Sequence, residues 1–222
     1  MELLITVAGI IAFFLPVLII LFRKLWLVQT LRYFAFYWLL AGIVNLTDLI
    51  PGITPRHREI ITVLYNFIDI PLMLAILYMA SRSFKGRRFT LIIGSTFVIA
   101  ELVGVLANGL YYDSMKYSLG VGLLLVLIIA AWNFRLYFRK IRYTPYQKAM
   151  MLLHAAVLFE YGSFVVIYVF DYFGPVRLNN DNFLIYYISS IITICIVLTG
   201  LLVPSLPQGA PKISADADRK SH

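Results

Sequence analysis

Three carboxylates, Asp69, Glu101 and Glu160, stand inside long apolar runs in which no lysine or arginine lies deep enough to pair with them. An ionisable group at membrane depth costs a few kcal/mol to insert, so each is a candidate for function. Without a buried cation, the three have limited choices. They can hold protons, share a bound cation, or receive a ligand that carries a cationic or hydroxyl group. Paired carboxyls also do acid/base chemistry, one donating a proton while the other accepts. Asp69 lies in "YNFIDIPLML", residues Tyr65 to Leu74, one helical turn beyond Tyr65 and close to Asn66. Pro71 has no N–H for the carbonyl four residues back, so the Phe67 C=O is left free near that acid.

Helical spacing, at ~100° per residue, gathers more polar side chains onto stripes. Glu101, Asn108 and Tyr112 share one, Glu160, Ser163 and Asp171 another, and Tyr187, Ser189, Ser190 and Thr193 cluster in the last apolar run. A polar stripe on a membrane helix faces protein or water. The expectation is a polar cavity lined by Asp69, Glu101, Glu160, Asn66, Asn108, Tyr65, Tyr187 and Ser190, with the three acids at its floor. Asp48, Asp171 and His154 are secondary candidates. For Asn45, Asn108, Ser163 and Ser190, hydrogen bonding between helices is the competing role. His154 lies about 120° around the helix from Glu160, so the two are no local acid–base pair. Asn133 has no evident capping role.

The elements that must position these groups are membrane helices. The chain is 61% apolar and 14% charged, with mean hydropathy +0.86, whereas soluble domains carry about 25% charged residues. Seven runs approach the ~20 residues that a bilayer requires: 3–22, 33–50, 60–80, 89–112, 117–138, 148–173 and 182–203. The expected fold is an all-α bundle of seven transmembrane helices over residues 1–203, joined by links of about 4 to 10 residues. Residues 204–222, rich in proline and small polar side chains, are expected to be a disordered cytoplasmic tail. The first run lacks a basic leader and a cleavage motif, so it is expected to be retained.

Of the 19 lysines and arginines, 15 fall in the tail or the links after the first, third and fifth runs; Arg56, Arg58, Lys116 and Arg177 fall on the other side. Positive charge stays inside. The N-terminus is therefore expected outside, the C-terminus in the cytoplasm, and the polar cavity open outward. The +8 net charge reflects this topology and attraction to anionic headgroups, and no nucleic-acid partner is expected. Trp26, Tyr111, Tyr112, Tyr117, Trp132, Tyr137 and Tyr186 are expected to anchor the helices at the membrane interfaces.

Several chemistries drop out. One cysteine, Cys195, permits neither an intrachain disulfide nor a thiolate metal site, and three histidines are too few for a His-rich metal centre. No metal or cofactor is expected. The seventh run has no lysine for a retinal Schiff base, and the receptor motifs acidic–Arg–Tyr and Asn-Pro are missing. The stretch "LYNFIDIPLMLAILYMASRSFKGRR" resembles the third helix of small bacterial seven-helix inner-membrane proteins, with Tyr65, Asp69 and the basic loop Arg82 to Arg88 in the matching places. That resemblance implies a multi-pass fold in the cell inner membrane and supplies no site. The functional expectation is binding or sensing of a small cationic or amphipathic ligand, or of protons. A separate cytoplasmic or membrane partner would receive the signal. The alternatives are a membrane enzyme using carboxyl acid/base chemistry on a lipid or isoprenoid, and a proton- or cation-coupled transporter.

Overall fold

A computed structural model describes residues 2–50, 52–109, 111, 115–138, 142–173, 179–204 and 206. Among them there is no strand, and seven α-helices follow one another: α1 (Glu2–Phe22), α2 (Gln29–Asn45), α3 (Pro55–Ala80), α4 (Phe84–Asn108), α5 (Lys116–Phe138), α6 (Pro145–Phe173) and α7 (Asn179–Leu201). Two 3-10 turns, Leu25–Leu27 and Leu46–Leu49, flank α2. Six of the helices, all but α2, are long and apolar enough to cross a bilayer. The chain is a helical membrane protein whose outward side chains, such as Leu15, Ile99, Leu106 and Ile128, are apolar and exposed. Tyr112, Asp113, Arg139, Lys140, Arg177 and the tail from residue 207 lie outside the described residues.

Three helices, α3, α4 and α6, begin earlier than their apolar runs do because caps rather than hydropathy set their starts. Thr54 accepts from the His57 N–H ahead of Pro55, Ser83 accepts from the Gly86 N–H at 2.8 Å, and Thr144 accepts from the Gln147 N–H at 3.3 Å. Each supplies an oxygen to an N–H that the first turn leaves unpaired. At the other end, α2 stops at Asn45, five residues before the expected Ile50. There the chain tightens into the 3-10 turn Leu46–Leu49, with the Thr47 hydroxyl donating to Val44 O at 2.7 Å. At 17 residues, α2 is shorter than the ~20 of a full crossing.

Packing closes a ring. α1 lies against α2 and α7, α2 against α3, α3 against α5, and α6 between α5 and α7. α4 stands outside this ring on α3 and α5, and only 17% of its most apolar stretch is buried. Glycines permit close approach at two of the helix contacts. A Cβ on Gly9 would stand 2.6 Å from the Tyr187 ring, which holds α7 against α1. A Cβ on Gly122 would stand 2.5 Å from Ile70 and 2.8 Å from the Phe97 ring, which sets the α3–α4–α5 junction.

The end of the bundle where α1 begins is here the N-face, and the end where α7 finishes is the C-face. At the C-face, Arg23 donates to the carbonyls of Leu201 and Val203, the orphan acceptors at the end of α7. Asn133 donates to Leu77 O at 3.3 Å, Tyr137 to Ala80 O at 3.1 Å and Arg87 to Ser81 O at 2.9 Å, so three side chains close the end of α3. Asn133 therefore has the capping role that its sequence position did not reveal. Tyr137, only 1% exposed, is a buried strut and not an interface anchor. At the N-face, Lys116 donates to Tyr172 O at 3.3 Å, with its ammonium 4.0 Å from the centre of the Phe173 ring, and so ties α5 to α6.

Candidate functional site

Inside the ring, α3 and α6 bring two of the three carboxylates together. Asp69 is 4% exposed and Glu160 is 3% exposed, and the two acids lie within electrostatic reach of each other. The inward face of α6 runs through Leu153, Val157, Glu160 and Tyr161, at the spacing of a buried helical stripe. Glu160 and Tyr161 therefore both lie on the buried face of α6. The Tyr161 hydroxyl donates to Asp69 Oδ2 at 2.8 Å, while Oδ1 has no hydrogen-bond partner among the described residues. The hydroxyls of Tyr37, from α2, and Tyr65, one turn before Asp69, lie close to the same carboxylate. Tyr37 also faces Glu160, and Tyr186 of α7 lies within electrostatic reach of both acids. The result is a carboxylate pair enclosed by four tyrosines from four helices. Among the described residues, no arginine, lysine or histidine is among the groups that act on the pair.

A hydrogen-bonded chain runs from Tyr186, beside this centre, toward the N-face. Asn45 donates to Ala41 O at 2.8 Å, which fixes its amide, and to the Tyr186 hydroxyl at 2.9 Å. The neighbouring Tyr187 hydroxyl is 3.4 Å from Asn45 Oδ1 and donates to Asp48 Oδ2 at 2.7 Å. Asp48 in turn meets Arg58 Nε at 3.9 Å, with the Arg58 side chain 42% exposed and that of Asp48 17% exposed. Polar groups thus run from a solvent-facing guanidinium to Tyr186, which lies within electrostatic reach of the buried pair. Asp48 has a basic partner, and among the described residues none acts on Asp69 or Glu160.

Glu101 is elsewhere. It lies on the buried face of α4 with Thr90 and Phe97, a turn beyond the Phe97–Gly122 junction, and it is 3% exposed. Neither carboxylate oxygen has a hydrogen-bond partner among the described residues, and Glu101 is not among the groups that act on Asp69 or Glu160. The expected floor of three acids is thus a pair inside the ring and one acid at its outer wall. The physical reason is the ring order, which puts α5 beside α3 and pushes α4 outside.

The remaining candidates divide. Tyr65 and Tyr187 belong to the network, and Asn66 is partly buried one residue after Tyr65. Asn108 is exposed at the last position of α4, before Gly109 at φ 77°. Ser190 donates to Tyr186 O at 2.8 Å, a bond within its own helix, and Ser163 does the same to Phe159 O. Asp171 is partly buried near the end of α6. His154 is fully buried, and its Nδ1 lies 2.6 Å from Met150 O. A carbonyl only accepts, so Nδ1 carries the proton and Nε2 is the bare nitrogen. Three members of the site escaped the sequence reading. Tyr37 and Tyr161 went unremarked, and Tyr186 is a member of the network rather than the interface anchor expected. The signal available was adjacency, since Tyr161 follows Glu160 and Tyr186 precedes Tyr187.

No protein-family model, curated protein or solved structure matches the chain.

Proposed function

We propose that the chain is a seven-span sensor of the cell inner membrane that takes up protons or a small ammonium-type cation between Asp69 and Glu160. In this reading α2, extended by its 3-10 turn, makes the seventh crossing. The N-face is outside and the C-face, where Arg23, Lys24, Arg82, Lys85, Arg87 and Arg88 gather, is cytoplasmic. The carrying observation is that two buried carboxylates lie within electrostatic reach of each other and that, among the described residues, no basic side chain is among the groups acting on them. Two like charges in a medium of low dielectric repel strongly, and buried charge needs a partner. A proton held by the pair, or a cation between them, supplies it. Four surrounding tyrosines favour an ammonium group, because ring faces attract cations and the hydroxyl and carboxylate oxygens accept its N–H bonds. The chain Asn45–Tyr187–Asp48–Arg58 is the route by which the site communicates with the outside. Occupancy would alter how α3 and α6 pack, and a separate partner would read the change at the basic C-face.

Thermal unfolding of the protein in nanodiscs tests this, across pH and with alkali, methylammonium and choline ions at constant ionic strength. A ligand at a hundredfold its Kd stabilises by about 2.7 kcal/mol, so a midpoint rise that Asp69→Asn and Glu160→Gln both abolish supports the reading. Equal behaviour of wild type and both variants under every condition contradicts it.

A further inference from the structure

Between α3 and α4 runs a second concavity, unrelated to the carboxylate pair. It is an open groove of about 350 Å3 that begins at Tyr78 and Leu91 and ends at Pro71 and Ile99. That volume is in the range of small-molecule sites, about 300–1,000 Å3. Its walls are almost wholly apolar, with Leu74 on one side and Gly94 and Val98 on the other. A Cβ on Gly94 would touch Leu74 only at 3.8 Å, so the absent side chain leaves the groove its depth. On α4 the lining extends from Thr90 to Ile99. At a rise of ~1.5 Å per residue that is about 14 Å, roughly half of a ~30 Å hydrocarbon core. The groove is one leaflet deep.

Its C-face end is basic. Arg87 and Arg88 precede Leu91 by four and three residues and therefore stand one turn below the lining, on the same side of α4. Arg87 is fixed across the end of α3 by its bonds to Ser81 O at 2.9 Å and Met79 O at 3.5 Å. A guanidinium has five N–H donors, so donors remain for an anion. Arg88 and Lys85 are exposed beside it, and no acidic residue occurs between Asp69 and Glu101. An apolar slot one leaflet deep, with cations at its headgroup end, is complementary to one molecule: a phospholipid with an anionic headgroup.

We propose that the α3–α4 groove is a binding site for an anionic phospholipid, one acyl chain lying between Leu74 and Gly94 and the phosphate held by Arg87 and Arg88. α4, outside the ring and packed chiefly on α3 and α5, would then take part of its packing from lipid. The test is photolabelling of the full-length protein in nanodiscs with phosphatidylglycerol or phosphatidylcholine carrying a diazirine on one acyl chain, followed by peptide mapping. Phosphatidylglycerol should label residues 71–78 and 90–99 in preference, by about fivefold for each basic residue engaged. Arg88→Gln should lower that preference about fivefold. Ala75→Phe, which fills the groove from its exposed wall, should abolish labelling there with all charges intact. Circular dichroism confirms that each variant is folded. Equal labelling by the two lipids, or labelling unchanged in Ala75→Phe, overturns the proposal.

Discussion

The two ends of this bundle bury polar groups for different purposes. Near the C-face, buried donors end on backbone carbonyls. Asn133 meets Leu77 O, Tyr137 meets Ala80 O, Arg23 meets Leu201 O and His154 meets Met150 O. Ala80 O and Leu201 O lie in the last turn of a helix, where no intrahelical N–H reaches them, and Leu77 O takes the Ser81 N–H as well. In the half toward the N-face, the buried groups of α2, α3, α6 and α7 end chiefly on one another. Tyr161 meets Asp69, Tyr187 meets Asp48 and Asn45 meets Tyr186. The first pattern closes helix ends and leaves no charge behind. The second leaves two carboxylates without a basic partner, which scaffolding does not require. Polar content alone therefore does not mark a membrane site; what the polar atoms bond to does.

Substitutions on the two sides should separate along that line. The largest loss is expected for Tyr161→Phe, which removes the donor to Asp69 Oδ2. Hydrogen bonds to charged groups are worth about 1.5–3 kcal/mol, and unfolding of the purified protein by denaturant should show a loss of that order. A variant as stable as wild type would mean that Asp69 carries no charge for the hydroxyl to meet. Next come Asn133→Ala and Tyr137→Phe at the C-face. Each should cost about 1 kcal/mol and leave any cation or proton response untouched. If either abolishes that response, the division between the two ends is wrong. The smallest effect is expected for Ser190→Ala, whose hydroxyl bonds only within α7. A stability change within about 0.5 kcal/mol and an unchanged response are predicted.

Much of the helical plan was legible in the sequence, and for a simple reason: an uninterrupted apolar run announces a membrane helix. The starts at Pro55, Phe84 and Pro145 were missed because Thr54, Ser83 and Thr144 act through one backbone N–H each, which hydropathy does not register. Asp69 and Glu160 were legible as candidates because an acid in such a run is costly. That Glu101 stands apart was not legible. Periodicity tells which face of α4 is polar, but not that α5 takes the place beside α3. The tyrosines were ambiguous for a chemical reason. An apolar ring with a polar tip suits the membrane interface and a buried carboxylate equally well, so Tyr137 and Tyr186 read as anchors until their partners were seen.

The comparison between the acid pair and the isolated Glu101 gives the most direct test of the central claim. Infrared difference spectra between the cation-free and cation-loaded protein, or between two pH values, report the carboxylic C=O stretch of buried acids. The account predicts a difference band that Glu160→Gln and Asp69→Asn each remove and Glu101→Gln leaves in place. A band that survives in both pair variants, or that disappears only in Glu101→Gln, would contradict the assignment of the site to Asp69 and Glu160.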